Sequence, residues 1–323
     1  MSLKSPKIIF RNKTMKLILK TIVTLILIEA SVTQSDHYSE AIKKSVVFFE
    51  NTLKNHLIPG IVAGVSINGS QVWAQPFGLT DIENDVKTRV DSVWRLASIS
   101  KSLTSALIGK LIDEGRVGLD KSIDEYLSPN VFPVKKWNGK NVTITVGQVM
   151  SHTAGLHVMD EPGDLFIRLS YENVTDTLAP FKDMPLIHAP GAAFNYSNYG
   201  FQVIGAIIES VLNKTYESVV NKMFEDLEMN STFCERRERI IPHRSRYYQT
   251  VQNSDGKWVL ANCPLFDDLV SLESYWPAGG IVTILPDLLR FGSHINKWSK
   301  GLNTTKTCNF NAFYLAHLDH LYH

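Results

Sequence analysis

The stretch Ser98–Gly115, SISKSLTSALIGKLIDEG, constrains this chain more than any other. Leu103, Ala106, Leu107 and Leu111 recur with a helical period and give the segment an apolar face. Gly115 ends it, and a short apolar strand near Val93–Leu96 leads into it. A strand feeding directly into such a helix calls for a sheet packed beside a helical region. At the junction stand Ser98 and Lys101, three residues apart and therefore on one helical face.

A serine hydroxyl is a weak nucleophile until its proton is removed. A lysine amine can remove it once burial makes the charged form costly. The S-x-x-K spacing brings the two groups together, and helix N-terminal amides favour the negative charge that develops. Taken alone the pattern is weak, because Ser98 could simply cap the helix and Lys101 could be a solvated charge. Its place after a strand, at the start of a long apolar helix, favours chemistry. Ser100 also neighbours Lys101, but adjacent helical residues point in different directions, so Ser98 is the better nucleophile.

A second polar set is Tyr196-Ser197-Asn198, just after the Pro190-Gly191 turn. Residues i and i+2 face the same way on extended backbone. Tyr196 could relay a proton beside Lys101, and Asn198 could orient an amide through its donor and acceptor. The plainer alternative is a polar loop with a capping asparagine. Ser151-His152-Thr153 is a third set; no acid accompanies His152 in sequence, which favours structural hydrogen bonding over catalysis. His317, Asp319, His320 and His323 have superficially metal-like spacing, read here as fortuitous.

Around these residues the pattern predicts a helix over 40–56, then a hairpin of 61–67 and 71–76 turned at Asn68-Gly69. Further helices are expected over 143–151, 199–215 and 216–229, with a second hairpin about Ser254-Asp255-Gly256. Gly279-Gly280 introduces a last segment that starts extended and becomes helical near Pro286. The fold class is α/β in the α+β sense: an antiparallel sheet flanked by helices, with a helical lobe and no βαβ repetition.

The 323 residues are 44% apolar, enough for one large domain, alone or with a smaller lobe. The 33 basic and 32 acidic side chains leave a net charge of +1, with no nucleic-acid footprint. Cys234, Cys263 and Cys308 are odd in number and lack a C-x-x-C pair, so free thiols are expected, with one bridge as the alternative. Residues 1–28 are basic, carry no acid and include an apolar run at 17–28. That run is short for a membrane span and reads as an organelle presequence, then as a secretory signal, then as an anchor. Several N-x-S/T triplets, among them Asn68, Asn141, Asn173 and Asn213, permit secretion without requiring it.

Ser98-Ile-Ser-Lys101, the SHTAGL segment at 151–156, Pro190-Gly191, Tyr196-Ser-Asn198 and PAGGIVT at 277–283 occur in that order in serine beta-lactamase-related proteins. The chain resembles that family, which spans class C beta-lactamases, D-alanyl-D-alanine carboxypeptidases and esterases. GIVAGVSINGSQVWAQPFGLTDIEN at 60–84 and RLASISKSLTSALIGKL at 95–111 resemble its animal mitochondrial branch most. The resemblance implies a beta-lactamase/transpeptidase-like fold with a cleft between two lobes. It implies Ser98 as nucleophile, Lys101 easing its deprotonation, Tyr196 passing a proton to the leaving amine and Asn198 binding substrate. The backbone amide of Ser98 would serve as one oxyanion donor.

Further expectations rest on the same likeness. They are a peptidase or amidase acting through an acyl-enzyme, no cofactor or metal, and a peptide or small amide or ester substrate. The mitochondrial branch implies that compartment, homo-oligomers or filaments, and an influence on lipid metabolism. Secretion is the alternative compartment; no transmembrane span is expected. Rival functions are a weak or inactive scaffold and a serine esterase. Residues 1–37 are expected to be a targeting segment and 38–323 the catalytic domain. That domain is expected to be incomplete at its C-terminus, because no late strand carries the family's third motif. Lys306-Thr307-Cys308 has cysteine where that motif has glycine.

Overall fold

A hairpin, a set of buried helices and a second small sheet build the part of the molecule that carries Ser98, as a computed structural model shows. The structure describes residues 38–157, 171–236, 238–263, 272 and 275–300. The expected targeting segment, the Lys306-Thr307-Cys308 triplet and the His317–His323 cluster lie outside them. The chain divides into two units, residues 1–56 and 57–323.

In the first unit, α1 spans Ser39–His56, as the 40–56 periodicity predicts. Glu40 in its first turn and Lys54 and His56 in its last complement the helix dipole.

The second unit opens with the expected hairpin, β1 (Gly60–Ile67) against β2 (Ser70–Asp81). Asn68 and Gly69 take φ of 52° and 85°. Two successive positive φ angles make the turn that best matches strand twist, which is why Asn-Gly occurs there. β2 continues the sheet to β3 (Val86–Lys87).

The strand expected near Val93–Leu96 is β4 (Trp94–Arg95). It pairs with β10 (Ile281–Thr283), which also pairs with β7 (Phe233–Cys234), so the second sheet has the order β4-β10-β7. Among the described residues the strand ladders are antiparallel, as expected, with one isolated parallel bridge between Val93 and Arg244. The Lys136–Trp137 and Lys140–Asn141 strands (β5, β6) form one small hairpin. Tyr248–Gln252 and Trp258–Asn262 (β8, β9) form the other around the predicted turn.

The helix predicted from Ser98 needs correction. Ala97–Ile99 is a tight 3₁₀ turn, and the α-helix proper, α2, spans Ser100–Asp113. Ala97, with φ of 45°, starts the turn, and the Ile99 and Ser100 amides bond three residues back, to Leu96 and Ala97, so the α-helical register begins only at Ser100. The helix expected over 143–151 is the shorter α3 (Val146–Met150), started by a reciprocal capping box between Thr145 and Gln148.

The two helices after the Tyr196 segment are α4 (Asn198–Leu212) and α5 (Tyr216–Asp226). Leu103, Ile108 and Leu111 of α2 join Val203, Ile204, Ile207 and Ile208 of α4 in one core. Gly205 lets α4 meet the 277 segment closely: a Cβ there would lie 2.5 Å from Pro277 Cγ. The last helix, α6 (Leu285–Lys300), runs along β1, with Ser293 Oγ 2.9 Å from Ser66 Oγ. Cys234 and Cys263 are buried free thiols. Among the described residues no helix is long and apolar enough to cross a membrane.

Candidate active site

β4 ends two residues before Ala97, and the Leu96 amide donates to the Ile281 carbonyl of β10 at 2.9 Å. The strand pairing therefore sets where the turn 97–99 begins. Ser98 is exposed at the tip of that turn, whereas Lys101, one turn into the helix region, is buried. Ser98 does not cap the helix; the structure shows no side-chain cap at either of these helix starts.

Lys101 Nζ lies 3.2 Å from Ser98 Oγ, 2.7 Å from Asn198 Oδ1 and 2.7 Å from the Ala278 carbonyl oxygen. The Tyr196 hydroxyl lies 2.7 Å from Ser98 Oγ. All four expected site residues thus meet, although 97 positions separate Lys101 from Asn198. Their meeting depends on Ser197. Its backbone is extended (φ −131°, ψ 117°), so Tyr196 and Asn198 face the same side, while its own hydroxyl caps α4 through the Gly200 amide. The capping residue is therefore Ser197, and Asn198 is left to meet Lys101.

The two carbonyl acceptors decide what Lys101 can do. An ammonium donates three hydrogen bonds, and three oxygens surround it. A neutral amine donates two. With Asn198 and Ala278 accepting those, its lone pair is directed at Ser98 Oγ. Burial pulls the Lys101 amine down to about 7, so the neutral form is available near neutral pH.

Burial raises the Tyr196 phenol, and the hydrogen bond to Ser98 only partly offsets that. Tyr196 is therefore a neutral proton donor. Its ring sits 4.9 Å from Lys101 Nζ and 4.4 Å from the His152 ring.

His152 supports the site through the Ser197 amide and the rings of Tyr196 and Phe201. Its Nδ1 accepts from the Ser197 amide at 3.1 Å, and its ring packs on Tyr196 and Phe201. This is the structural hydrogen bonding the sequence favours. Ser100, set aside on direction, is fully buried and accepts from the Ile281 amide at 3.3 Å.

Sequence reasoning missed the Ala278 carbonyl, because a backbone acceptor has no side-chain signature. The PAGGIVT segment was the available signal. A cavity of about 1200 Å³ lies elsewhere, lined by Leu107, Leu111, Leu212 and Met223 among others. It is lined by none of the four site residues.

The beta-lactamase family model matches residues 48–307, a span that contains every element of this site. The chain belongs to the beta-lactamase family. A relative of this beta-lactamase-family chain is the human protein named serine beta-lactamase-like protein LACTB, mitochondrial. It is 30% identical over 299 aligned positions, covering 73% of this chain and 53% of the human protein. The chain thus spans about half the length of that relative.

Among solved structures, the octameric penicillin-binding protein homologue from Pyrococcus abyssi superposes with a TM-score of 0.64 at 22% identity. The match covers 79% of this chain and 56% of the other. EstCE1, described as a hydrolase with promiscuous acyltransferase activity, gives 0.63 at 20% identity, covering 78% and 71%. The D-amino acid amidase from Ochrobactrum anthropi SV3 gives 0.62 at 20% identity, covering 78% and 70%. These likenesses bear out the expected fold class, a beta-lactamase/transpeptidase-like α/β architecture.

Proposed function

We propose that this chain is a serine hydrolase that opens amide bonds through an acyl-enzyme on Ser98. The observation that carries the reading is the Lys101 amine. It is buried, held by two carbonyl oxygens and set 3.2 Å from the one exposed hydroxyl of the cluster. A lysine serving only as a solvated helical charge would have none of these features.

In the proposed reaction neutral Lys101 takes the Ser98 proton as Oγ bonds to the substrate carbonyl carbon. The carbonyl electron pair moves to oxygen, where the Ser98 backbone amide is one donor. When the C–N bond breaks, the leaving nitrogen takes a proton delivered through Tyr196, which lies 2.7 Å from Ser98 Oγ. The proton that Lys101 took from Ser98 then replaces the one lost by the Tyr196 phenol, so both groups end the step as they began it. Water then adds to the ester carbon and releases the acid, with Lys101 and Tyr196 returning the proton to Ser98. Asn198 turns its oxygen to Lys101, which leaves its NH₂ to bind the substrate carbonyl.

A peptidase or amidase fits better than a simple esterase because Tyr196 is a neutral phenol at the nucleophile. An amine leaving group needs a proton far more than an alkoxide or phenoxide does. The name of the human relative supports a mitochondrial compartment for this chain too.

Intact mass after treatment with a serine-reactive phosphonate tests the nucleophile. One adduct is expected, and none on Ser98→Ala. Folded wild-type chain that takes no adduct would sink the reading and favour a scaffold. Matched ester and amide substrates then separate the two hydrolase types, and elution mass at several concentrations tests assembly.

A further inference from the structure

Three side chains of one helix hold the segment 277–281. Ser100 Oγ accepts from the Ile281 amide, Lys101 Nζ donates to the Ala278 carbonyl, and Thr104 Oγ1 lies 2.8 Å from the Pro277 carbonyl. Thr104 Oγ1 also lies 2.7 Å from the Tyr216 hydroxyl and 3.2 Å from the Ser100 carbonyl. Ser100, Thr104 and Tyr216 have no exposure at all.

The proton direction in this cluster follows from counting. The Thr104 hydroxyl has one hydrogen, and the carbonyl oxygens of Pro277 and Ser100 can only accept. Thr104 therefore donates to Pro277, its nearer carbonyl, and Tyr216 donates to Thr104. Burial keeps the Tyr216 phenol protonated far above neutral pH, which suits that role. Tyr216 is itself fixed: its backbone amide donates at 2.8 Å to Glu209 Oε1. The same buried carboxylate accepts from the Val174 and Thr175 amides and from the Thr175 hydroxyl.

We propose that Tyr216 and Thr104 are positioning residues that hold the Ala278 carbonyl against the Lys101 amine by fixing Pro277. The proposal rests on Lys101 being the base of the proposed hydrolase. Neither residue touches Ser98 or the space in front of it. Each acts through one peptide unit: Thr104 grips the carbonyl of Pro277, and the next carbonyl along the chain is the Lys101 acceptor. Gly205 lets α4 close on Pro277 from the other side, so the segment is held between two helices.

The groups facing Lys101 are Ser98 from its own turn, Tyr196 and Asn198 at the start of α4, the Phe201 ring and the Ala278 carbonyl. Tyr196 is the titratable one, and as a phenol it is neutral across the working range. His152 lies behind Tyr196 and Tyr216 behind Thr104. Loss of the Ala278 contact therefore removes one of three acceptors from the ammonium without changing the charges around it. That disfavours the protonated form.

The test is the titration of Lys101 itself, followed by NMR on chain labelled at lysine Cε and assigned with Lys101→Arg. The wild-type midpoint is expected near 7. In Tyr216→Phe and in the isosteric Thr104→Val the midpoint should fall by about one pH unit, the scale of one hydrogen bond to a charged group. Thr104→Ser, which keeps the hydroxyl, should restore it. Phosphonylation of Ser98 read in parallel should show its acid limb moving with the midpoint and its plateau falling about tenfold. A Lys101 midpoint unchanged in folded Tyr216→Phe or Thr104→Val overturns the proposal, whatever the rates. If wild-type Lys101 titrates near 7 but Ser98 takes no phosphonate, the hydrolase reading fails and the titration still decides the positioning role.

Discussion

Asn198 Oδ1 lies 2.7 Å from Lys101 Nζ, and both side chains are held by helices that pack together in the core. The pair is neutral on one side, and that neutrality keeps the lysine basic enough to hold a proton yet acidic enough to lose it. Asn198→Asp places a carboxylate at the same spot. An opposite charge at that distance favours the ammonium. The acid limb of Ser98 acylation should then move above 7 by more than one unit, and the rate at neutral pH should fall about tenfold or more. An unmoved limb would show that Lys101 is not the group being titrated.

Removing the amine should remove the base. Lys101→Met is expected to slow acylation by about 10²–10⁴. The phosphonate rate measures it, with Ser98→Ala as the floor. A loss below about fivefold would transfer the base role elsewhere.

The same substitution should change stability in a pH-dependent way. The folded amine titrates near 7, below its ordinary 10.5. Between those values the unfolded chain holds a proton that the folded site has released. The Lys101 contribution to stability therefore rises with pH across that window, and below pH 7 the full cost of burying the ammonium is present. Lys101→Met should gain more over wild type near pH 6 than near pH 10, by an order of a few kcal/mol. Denaturant melts of both chains at the two pH values provide the difference.

Gly205→Ala tests the close approach behind the Ala278 carbonyl. The added carbon would lie 2.5 Å from Pro277 Cγ and 2.8 Å from Val174 Cγ1. Overpacking of this kind costs about 1–3 kcal/mol. A lower melting temperature and slower acylation should appear together, since the displaced segment carries the Lys101 acceptor. Unaltered melting would mean that α4 and Pro277 separate freely.

Glu235, the residue after β7, forms ion pairs with Arg95 of β4 and with Arg244, and both Glu235 and Arg95 are almost wholly buried. Glu235→Gln leaves two guanidinium groups without their anion, a change expected to cost about 3–5 kcal/mol. Because β4 delivers the Ser98 turn, acylation at a temperature where the variant is folded should slow as well. Equal rates there would confine Glu235 to stability.

The amino-acid sequence by itself determined the local pieces. Period 3.6 in Leu103–Leu111 and in 199–212 marked α2 and α4, and Asn68-Gly69 marked the hairpin, because these signals depend on neighbours within a few residues. It also marked Ser98, Lys101, Tyr196 and Asn198, since S-x-x-K and the extended i, i+2 pair are short-range geometry. Tertiary structure alone decided that α2 starts at Ser100 rather than Ser98: the chain leaves the β4–β10 pairing through a left-handed Ala97 and closes a 3₁₀ turn over 97–99 first. It alone placed the Ala278 carbonyl on Lys101, 177 positions away. A backbone oxygen carries no mark in the sequence, and desolvation, which makes the lysine a base, is a property of everything packed around it.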